Sequence, residues 1–342
     1  MNDSGMESVR AALNAFGRSR TPVLFIIDFS GNDPVLCPLA EVDPGEILFD
    51  LRGASNIPAE NTTGTAGTEP VLFEKHPVPF PVFSTAFEKV REEFITGNSV
   101  LLNLTFSTPV STNLGFHELF FRSSAPYRLW MKDRFVVFSP ERFVSIEGTT
   151  ISTTPMKGTI DADVPDAAAV LLADEKEAAE HTTVVDLLRN DLSMVSSRVR
   201  VEQFRYVEEV RTLNSTLLQT SSRISGQLDM GWHERLGDIL TTLLPAGSIT
   251  GAPKKKTVAI IKDIEQHTRG YYTGVAGYYD GSRLDSFVMI RFIEQTDSGL
   301  VYKSGGGITV YSNAEQEYRE MIDKVYLPVC SCGTKGVWHD AC

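Results

Sequence analysis

Three strand-like runs follow one another closely in the second half of the chain. They read YYTGVAGYYD (271–280), SFVMIRFIE (286–294) and GLVYKSGGG (299–307). Each run is rich in β-branched or aromatic residues, and turn-forming residues separate it from the next. Because connections this short reverse the direction of the chain, the three runs predict neighbouring strands of an antiparallel sheet.

Other parts of the chain alternate between strand and helix patterns. Strand-like runs occur at 22–29, 99–106 and 134–140, and FVSIEGTTIST (143–153) predicts a hairpin with its turn near Gly148. Helices are predicted at 85–96, 174–190, 232–243, 253–267 and 314–327. Long strands with hairpin-like neighbours, separated by helices, predict a mixed α+β fold built on antiparallel sheets.

The composition narrows the class of protein. The 342 residues are 42% hydrophobic and 22% charged, with a formal net charge of −12. This acidic excess argues against binding to nucleic acid or to a membrane surface. No apolar run approaches the roughly 18 residues that span a bilayer, and the N-terminus lacks the apolar segment of a secretory signal. With only four cysteines, we expect a cytoplasmic protein without a disulfide framework.

Two pairs of glutamates occur at helical spacing. Glu177 and Glu180 lie three residues apart, and Glu317 and Glu320 repeat this spacing. Residues i and i+3 share one face of a helix, so two facing helices could present four carboxylates to Mg²⁺, a cation that prefers oxygen ligands. Each pair alone is equally typical of a solvated helix face. Glu320 could also form a surface salt bridge with Lys324.

Two small-residue segments and one arginine are further candidates for ligand binding. LLPAGSITGAPKKK (243–256) leads into a helix start, where the hydroxyls of Ser248 and Thr250 would help to form an anion cradle. A plain turn is the alternative. KSGGGITV (303–310) predicts a glycine-rich turn after a strand. Arg291 interrupts an apolar run, so it is either paired inside the protein or directed at an anionic ligand.

A single lysine lies in the segment PMKGT (155–159). Lys157 comes between the end of a strand and a Gly–Thr pair that would allow close approach of the backbone to a ligand. A solvated lysine in a turn is the alternative reading of these residues alone.

Five motifs occur in one fixed order: PMKGT, EHTTVVDLLRND, LPAGSITGAPK, RGYYTGVAGYYD and GGGITVYSNAEQEYREMIDK. Together they resemble the motifs of the chorismate-utilising enzymes, which include anthranilate, isochorismate, salicylate and aminodeoxychorismate synthases. The similarity is specific from Arg134 to Leu327 and looser from Thr21. It implies a fold in which two antiparallel sheets pack together and are flanked by helices.

The resemblance also implies how the chain is organised. A single chorismate-binding catalytic domain would cover 1–328, with a divergent part at 1–90 and a core at 91–328. The tail 329–342 contains four soft ligand atoms, on Cys330, Cys332, His339 and Cys342. Their spacing matches no common zinc site well, so a flexible tail with incidental thiols is favoured over zinc binding.

For the site, the resemblance implies a Mg²⁺ ion that bridges the protein and the ring carboxylate of chorismate. Glu180 and Glu320 would be direct ligands of the metal, and Glu177 and Glu317 would hold its waters. The enolpyruvyl side of the substrate would be bound by Arg291 and Tyr272, together with the backbone around Gly306 and Gly307.

The lysine of PMKGT is similar to that of the aminodeoxychorismate synthase component I branch, in which the amine attacks C2 of chorismate and expels the 4-hydroxyl. Ammonia then adds at C4. Lys157 would need a pKa lowered by burial, or a nearby base that takes its proton.

Glu141, sixteen residues earlier, resembles the general acid of the family, a role that suits a raised pKa. A salt bridge from Glu141 to Arg142 is the alternative, although neighbours on a strand point to opposite faces.

Three positions depart from the family pattern. Thr212 replaces a common histidine, Thr154 a common arginine, and Leu101 a glutamine or the lysine that activates water in isochorismate synthases. The absence of that lysine argues against isochorismate or salicylate formation.

The resemblance therefore implies aminodeoxychorismate synthase component I. No cysteine has a G-x-C-x-G context, so we expect ammonia from solution or from a separate glutamine amidotransferase subunit. The alternatives are anthranilate synthase component I and an inactive chorismate-binding scaffold for a glutaminase subunit.

Overall fold

The computed structural model describes residues 3–59, 70–211 and 216–329. The helices within these ranges are α1 (Asp3–Ser19), α2 (Phe80–Ile95), α3 (Phe116–Arg122), α4 (Ala167–Ala173), α5 (Glu175–Ser193), α6 (Leu236–Leu243), α7 (Lys254–Ile264) and α8 (Ala314–Asp323). The strands are β1 (Val23–Ile27), β2 (Val35–Pro38), β3 (Ile47–Leu51), β4 (Ala54–Ser55), β5 (Phe73–Lys75), β6 (Leu101–Thr112), β7 (Tyr127–Met131), β8 (Phe135–Ser139), β9 (Arg142–Glu147), β10 (Thr150–Thr153), β11 (Met156–Asp161), β12 (Ser197–Arg211), β13 (Thr216–Gln227), β14 (Gly251–Ala252), β15 (Val275–Tyr279), β16 (Leu284–Val288), β17 (Phe292–Thr296) and β18 (Gly299–Ile308).

These strands form two antiparallel sheets. The first has the order β11-β13-β10-β9-β16-β15-β1-β2, and β12 also pairs with β13. The second has the order β14-β6-β18-β17-β8-β7-β3-β4, and β5 also pairs with β6. Side chains of both sheets share one core cluster, in which Leu24 and Phe287 of the first sheet join Leu129 and Phe292 of the second. The two sheets therefore pack face to face.

Helices cover the outer faces of both sheets. Helices α1, α5 and α6 contribute to a core cluster with the first sheet, and α2, α7 and α8 pack on β6 and β18 of the second. In α2, the buried residues Phe83, Phe87, Val90 and Phe94 recur every three or four positions, which directs one face of the helix towards the sheet. The prediction of an α+β fold with two packed antiparallel sheets flanked by helices is confirmed.

Two details of the sequence prediction are wrong. The run 286–294 is not one strand, because it breaks between β16 and β17 and passes from the first sheet to the second. Arg291 lies at this break with a φ of 56°. The glycines of 303–310 do not form a turn either, since they lie within β18. A Cβ on Gly305 would come 2.2 Å from the carbonyl oxygen of Leu104 on β6, so the close pairing of these strands requires glycine there.

Some predictions concern residues outside the described ranges, and two strands of the structure were not predicted. Thr212 and the soft ligands of the C-terminal tail fall outside the described ranges. The long strands β12 and β13 were not predicted. They carry many charged and polar residues, and the apolar alternation of β12 changes phase between Val201 and Phe204, where its register with β13 also shifts. No single period-2 pattern therefore runs the length of either strand.

Candidate active site

A cavity of about 660 Å³ lies where strands of both sheets meet α5 and α8, a volume typical of small-molecule sites. Ten of the twelve residues predicted for the site line this cavity. They are Glu141, Lys157, Glu177, Glu180, Ser248, Thr250, Tyr272, Arg291, Gly307 and Glu320. The other two, Gly306 and Glu317, lie directly behind them, because a Cβ on Gly306 would come 3.5 Å from Oε2 of Glu317 and 3.6 Å from Oε1 of Glu320.

Lys157 is held at an irregularity of β11. The register between β11 and β13 shifts between Lys157 and Thr159, and Gly158 there has a φ of 72°, a conformation that favours glycine. The hydroxyl of Thr220 on β13 donates a hydrogen bond to the carbonyl oxygen of Lys157. This local geometry fixes the backbone beneath the side chain and directs it into the cavity.

The amine of Lys157 is held by a carboxylate. Its Nζ donates a hydrogen bond of 2.6 Å to Oε2 of Glu180 on α5. Burial by itself lowers the pKa of Lys157, but the carboxylates of Glu180, Glu320 and Glu177 outweigh it and raise that pKa above its usual value. Of the two activation routes expected from the sequence, the geometry favours the nearby base over a pKa lowered by burial.

Glu141 lies in the short connection between β8 and β9. The hydroxyl of Ser248 donates a hydrogen bond to Oε1 of Glu141, across 107 positions of sequence. Burial raises the pKa of Glu141, and the bond from Ser248 and the charge of Arg291 only partly oppose this. Arg142 bonds instead to Asp285, with 3.1 Å from Nε to Oδ1. The carboxyl of Glu141 therefore belongs to the cavity.

Hydrogen bonds of Lys254 stabilise the loop that carries Ser248 and Thr250. Lys254, at the start of α7, donates a hydrogen bond of 3.0 Å to Oδ2 of Asp191 and one of 2.9 Å to the carbonyl oxygen of Leu243. The hydroxyl of Thr250 donates to the carbonyl oxygen of Ala246 at 2.8 Å. Both predicted hydroxyls of this loop thus have protein acceptors, and the loop holds Glu141 in place.

The two acidic pairs lie on α5 and α8, as the spacing predicts. Glu317 is buried, and burial raises its pKa and that of Glu177. Lys324 lies 2.6 Å from Oε1 of Glu320, and its charge lowers the pKa of Glu320 to about 2. Lys176, one turn before Glu180, lies between the two helices and contacts Glu180 and Glu317. The predicted Glu320–Lys324 ion pair is present, at the edge of the cavity.

The chemistry of these carboxylates fits a hard divalent cation. Four oxygen-bearing side chains approach from two helices, and the missing side chain of Gly306 leaves space in front of Glu317 and Glu320. Within the ranges that the structure describes, no three acidic, histidine or cysteine side chains are already arranged around one point as metal ligands. Lysine ammonium groups contact these carboxylates instead.

Arg291 and Tyr272 also line the cavity. Nε of Arg291 donates a hydrogen bond of 3.3 Å to the hydroxyl of Tyr326, whose ring lies under the guanidinium. Tyr272 is buried, and burial raises its pKa, so its hydroxyl stays protonated. The cavity therefore combines the guanidinium of Arg291 with the carboxylates of α5 and α8 and the lysines that pair with them. This combination suits a substrate with separate carboxylates, one near the arginine and one near a metal.

Two residues at or beside the cavity were not predicted from the sequence. Lys176 stands four residues before Glu180, a spacing that could have indicated its contact with that carboxylate. Asn103 on β6 lines the cavity, and its Oδ1 is buried without a hydrogen-bond donor among the described residues. Nothing in the sequence distinguishes Asn103 from other polar residues of that strand. Leu101, two positions earlier, also lines the cavity and offers no base there.

Comparison with known proteins agrees with this fold. The sequence model of the chorismate binding enzyme family matches residues 46–328. The chain belongs to this family of chorismate-binding enzymes. Among the described residues, no helix combines the length and apolarity needed to cross a membrane.

Individual relatives point to different members of the family. A Haemophilus influenzae protein named "Uncharacterized PabA-like protein" is 49% identical over 329 residues, which are 96% of this chain and 99% of that protein. Aminodeoxychorismate synthase component 1 of Bacillus subtilis is 31% identical over 71% of this chain and 54% of its own length. The structure of anthranilate synthase component I from Streptococcus pneumoniae is similar with a TM-score of 0.64 and 28% identity, over 79% of this chain and 62% of that one.

Proposed function

We propose that the protein is an aminodeoxychorismate synthase component I, which replaces the 4-hydroxyl of chorismate with an amino group from ammonia. The observation that carries this proposal is the presence of Lys157 and Glu141 in one cavity. Exchange of hydroxyl for amine through a covalent intermediate needs a nucleophilic amine and an acid that protonates the departing oxygen. Relatives named aminodeoxychorismate synthase component 1 support the assignment.

In the first step the neutral amine of Lys157 would attack C2 of chorismate. Both ring double bonds shift, from C1=C2 and C5=C6 to C1=C6 and C4=C5, the C4–O bond breaks, and the oxygen leaves as water with the proton of Glu141. Oε2 of Glu180, 2.6 Å from Nζ, would accept the proton that Lys157 must lose. The raised pKa of Glu141 supports its role as the acid, because it keeps the carboxyl protonated at higher pH.

In the second step ammonia adds at C4, both ring double bonds shift back, and the bond between C2 and Lys157 breaks. The added nitrogen loses one proton, which restores Glu141, and Glu180 returns a proton to the departing lysine. Chorismate and ammonia thus give 4-amino-4-deoxychorismate and water. Leu101 supports ammonia over water as the nucleophile, because ammonia needs no general base at that position.

The four glutamates would hold a Mg²⁺ ion, with Glu180 and Glu320 as direct ligands and Glu177 and Glu317 holding its waters. When bound, the ion would neutralise the ring carboxylate of chorismate. Arg291 would bind the carboxylate of the enolpyruvyl group, since guanidinium groups match carboxylates in a bidentate geometry. Ammonia would come from a separate glutaminase subunit, or from ammonium in the assay.

The test is to incubate the purified protein with chorismate, MgCl₂ and ammonium, and to identify the product by mass spectrometry. We expect a product that retains the enolpyruvyl group and carries an amine in place of a hydroxyl. Formation of fluorescent anthranilate would overturn the proposal and would identify the protein as an anthranilate synthase component I instead. If no turnover occurs even when a glutaminase subunit and glutamine are supplied, while chorismate still binds by calorimetry, the scaffold alternative replaces it.

A further inference from the structure

We infer that Lys176 is a built-in competitor of the divalent cation, which neutralises one carboxylate of each acidic pair and leaves them when the metal binds. The inference rests on the magnesium site of the proposed function. It concerns a residue that has no role in the reaction steps above. Lys176 lies in the first turn of α5, and the acidic pair of α8 faces it across the cavity rim.

The contacts of Lys176 link the two helices. Its Nζ lies 3.4 Å from Oε1 of Glu317 on α8 and 3.8 Å from Oε1 of Glu180 on its own helix. Glu317 is only 3% exposed at its side chain, so in this arrangement Lys176 supplies the cation nearest to a buried carboxylate. An ammonium group that contacts both pairs satisfies the same electrostatic need as a bound divalent cation.

Lys157 and Lys324 have closer partners within the same two acidic pairs. Lys157 bonds to Oε2 of Glu180, the oxygen that Lys176 does not contact. Lys324 bonds to Glu320 and also donates a hydrogen bond of 3.0 Å to the carbonyl oxygen of Gly305. Lys176 has weaker, longer contacts, and 37% of its side chain is exposed. Its hydrogen bond to Oε1 of Glu317 is long, at 3.4 Å, so Lys176 is the ammonium group that moves into solvent at the smallest cost.

Binding of a metal to Glu180 and Glu320, with a water held by Glu317, would therefore compete with Lys176 for two of these carboxylates. The cation and the ammonium cannot both lie between the same carboxylates, since two positive charges there repel each other. Metal binding must therefore displace Lys176, which lowers the affinity of the site for the free cation. Without metal, Lys176 keeps the carboxylates of α5 and α8 from repelling each other and so stabilises the empty site.

The experiment measures the affinity of the full chain for Mn²⁺, a spectroscopic probe that takes the same oxygen ligands. Binding is measured by calorimetry and by electron paramagnetic resonance. Lys176→Gln should bind Mn²⁺ about tenfold more tightly than the wild type. This ratio corresponds to the free energy of about one charge–charge contact, the one that the substitution removes. Its melting temperature without metal should fall, and the rise on adding Mn²⁺ should be larger. Lys176→Arg keeps the charge and should bind like the wild type.

Lys262→Gln, at an exposed position of α7, is the matched control and should leave Mn²⁺ binding unchanged. Equal or weaker Mn²⁺ binding by a folded Lys176→Gln variant would overturn the inference while leaving the metal site intact. Failure of the proposed metal site itself would be detected by a different measurement, Mn²⁺ binding to the wild type and to Glu320→Gln. If Mn²⁺ does not bind, or binds equally well to Glu320→Gln, the proposed metal site itself is wrong and the inference falls with it.

Discussion

Nζ of Lys157 lies 2.6 Å from Oε2 of Glu180, so the central lysine of the cavity is an ion-pair partner as well as a candidate nucleophile. The carboxylates around it raise its pKa, although burial opposes this. A lysine held in this way must transfer its proton before it can attack, and Glu180 is positioned to accept it. The pair therefore joins the nucleophile on β11 to the acidic helix α5.

Replacement of Lys157 tests the covalent step. Lys157→Ala should lose at least about 10²-fold in ammonia-dependent turnover, because no other amine in the described cavity holds its place. Intact-protein mass spectrometry of the wild type with chorismate, and without ammonia, should detect an adduct with the mass of chorismate less one water. Lys255→Ala, on an exposed part of α7, serves as the control. A wild-type protein that turns over without any adduct would show that Lys157 acts only through its charge.

Glu141 should set the alkaline limit of activity. Its protonated form is the active one, so turnover should fall as pH rises through its raised pKa. At pH values below that pKa, Glu141→Gln should reduce kcat by about 10²- to 10⁴-fold, the usual contribution of a general acid, and the difference should shrink at higher pH. Ser248→Ala removes a hydrogen bond that lowers the pKa of Glu141, so its pH–rate profile should shift to higher pH. A shift to lower pH would contradict the assignment.

The same carboxyl should affect stability, with a predictable sign. Since the pKa of Glu141 is raised by folding, the folded protein keeps this proton at pH values at which the unfolded chain has lost it. Its contribution to stability is therefore present below the unfolded pKa and lost as pH rises through the folded pKa. Denaturant unfolding at pH 8 should show Glu141→Gln to be more stable than the wild type by about 1 kcal/mol. At pH 4 the difference should vanish.

Two neighbouring glycines of β18 should respond differently to alanine. The Cβ of Gly306→Ala would make ordinary contacts at 3.5 Å and 3.6 Å with Glu317 and Glu320, so the fold should tolerate it. It would fill the space in front of these carboxylates, and KM for chorismate should rise at least about tenfold. Gly305→Ala would bring a Cβ within 2.2 Å of the Leu104 carbonyl oxygen and should destabilise the fold. Activity assays combined with thermal melting separate the two effects.

The ion pair of Lys254 and Asp191, next to the Ser248 loop, should contribute strongly to stability. Asp191 is 7% exposed and bonds to Lys254 at 3.0 Å, so Lys254→Met would leave a buried carboxylate without its cation. We expect a loss of about 3 kcal/mol in the free energy of unfolding. The exposed pair of Arg189 and Asp186 on the same helix is the comparison, and Arg189→Ala should cost less than about 1 kcal/mol. Similar losses in both variants would show that the buried pair has no special role.

Much of the fold could be predicted from local patterns. The strands near 22–29 and 134–140 and the helices near 174–190 and 314–327 are where the apolar periodicity indicated. The break at Arg291 was not predictable, because an apolar run looks the same whether it stays in one sheet or passes between two. The extended glycines of β18 were missed for a similar reason. A close approach of two strands depends on which strands pair, and local sequence does not record this.

For the site, the sequence by itself determined the residue types, their order and the helical spacing that places each pair of glutamates on one face. Only the tertiary structure decided which groups meet. Glu141 and Ser248 are bonded across 107 positions, and Lys176 contacts Glu317 on another helix. The pKa of Lys157 was equally undetermined by sequence, because burial and neighbouring carboxylates act on it in opposite directions. Their balance depends on distances that exist only once α5, α8 and the two sheets have packed together.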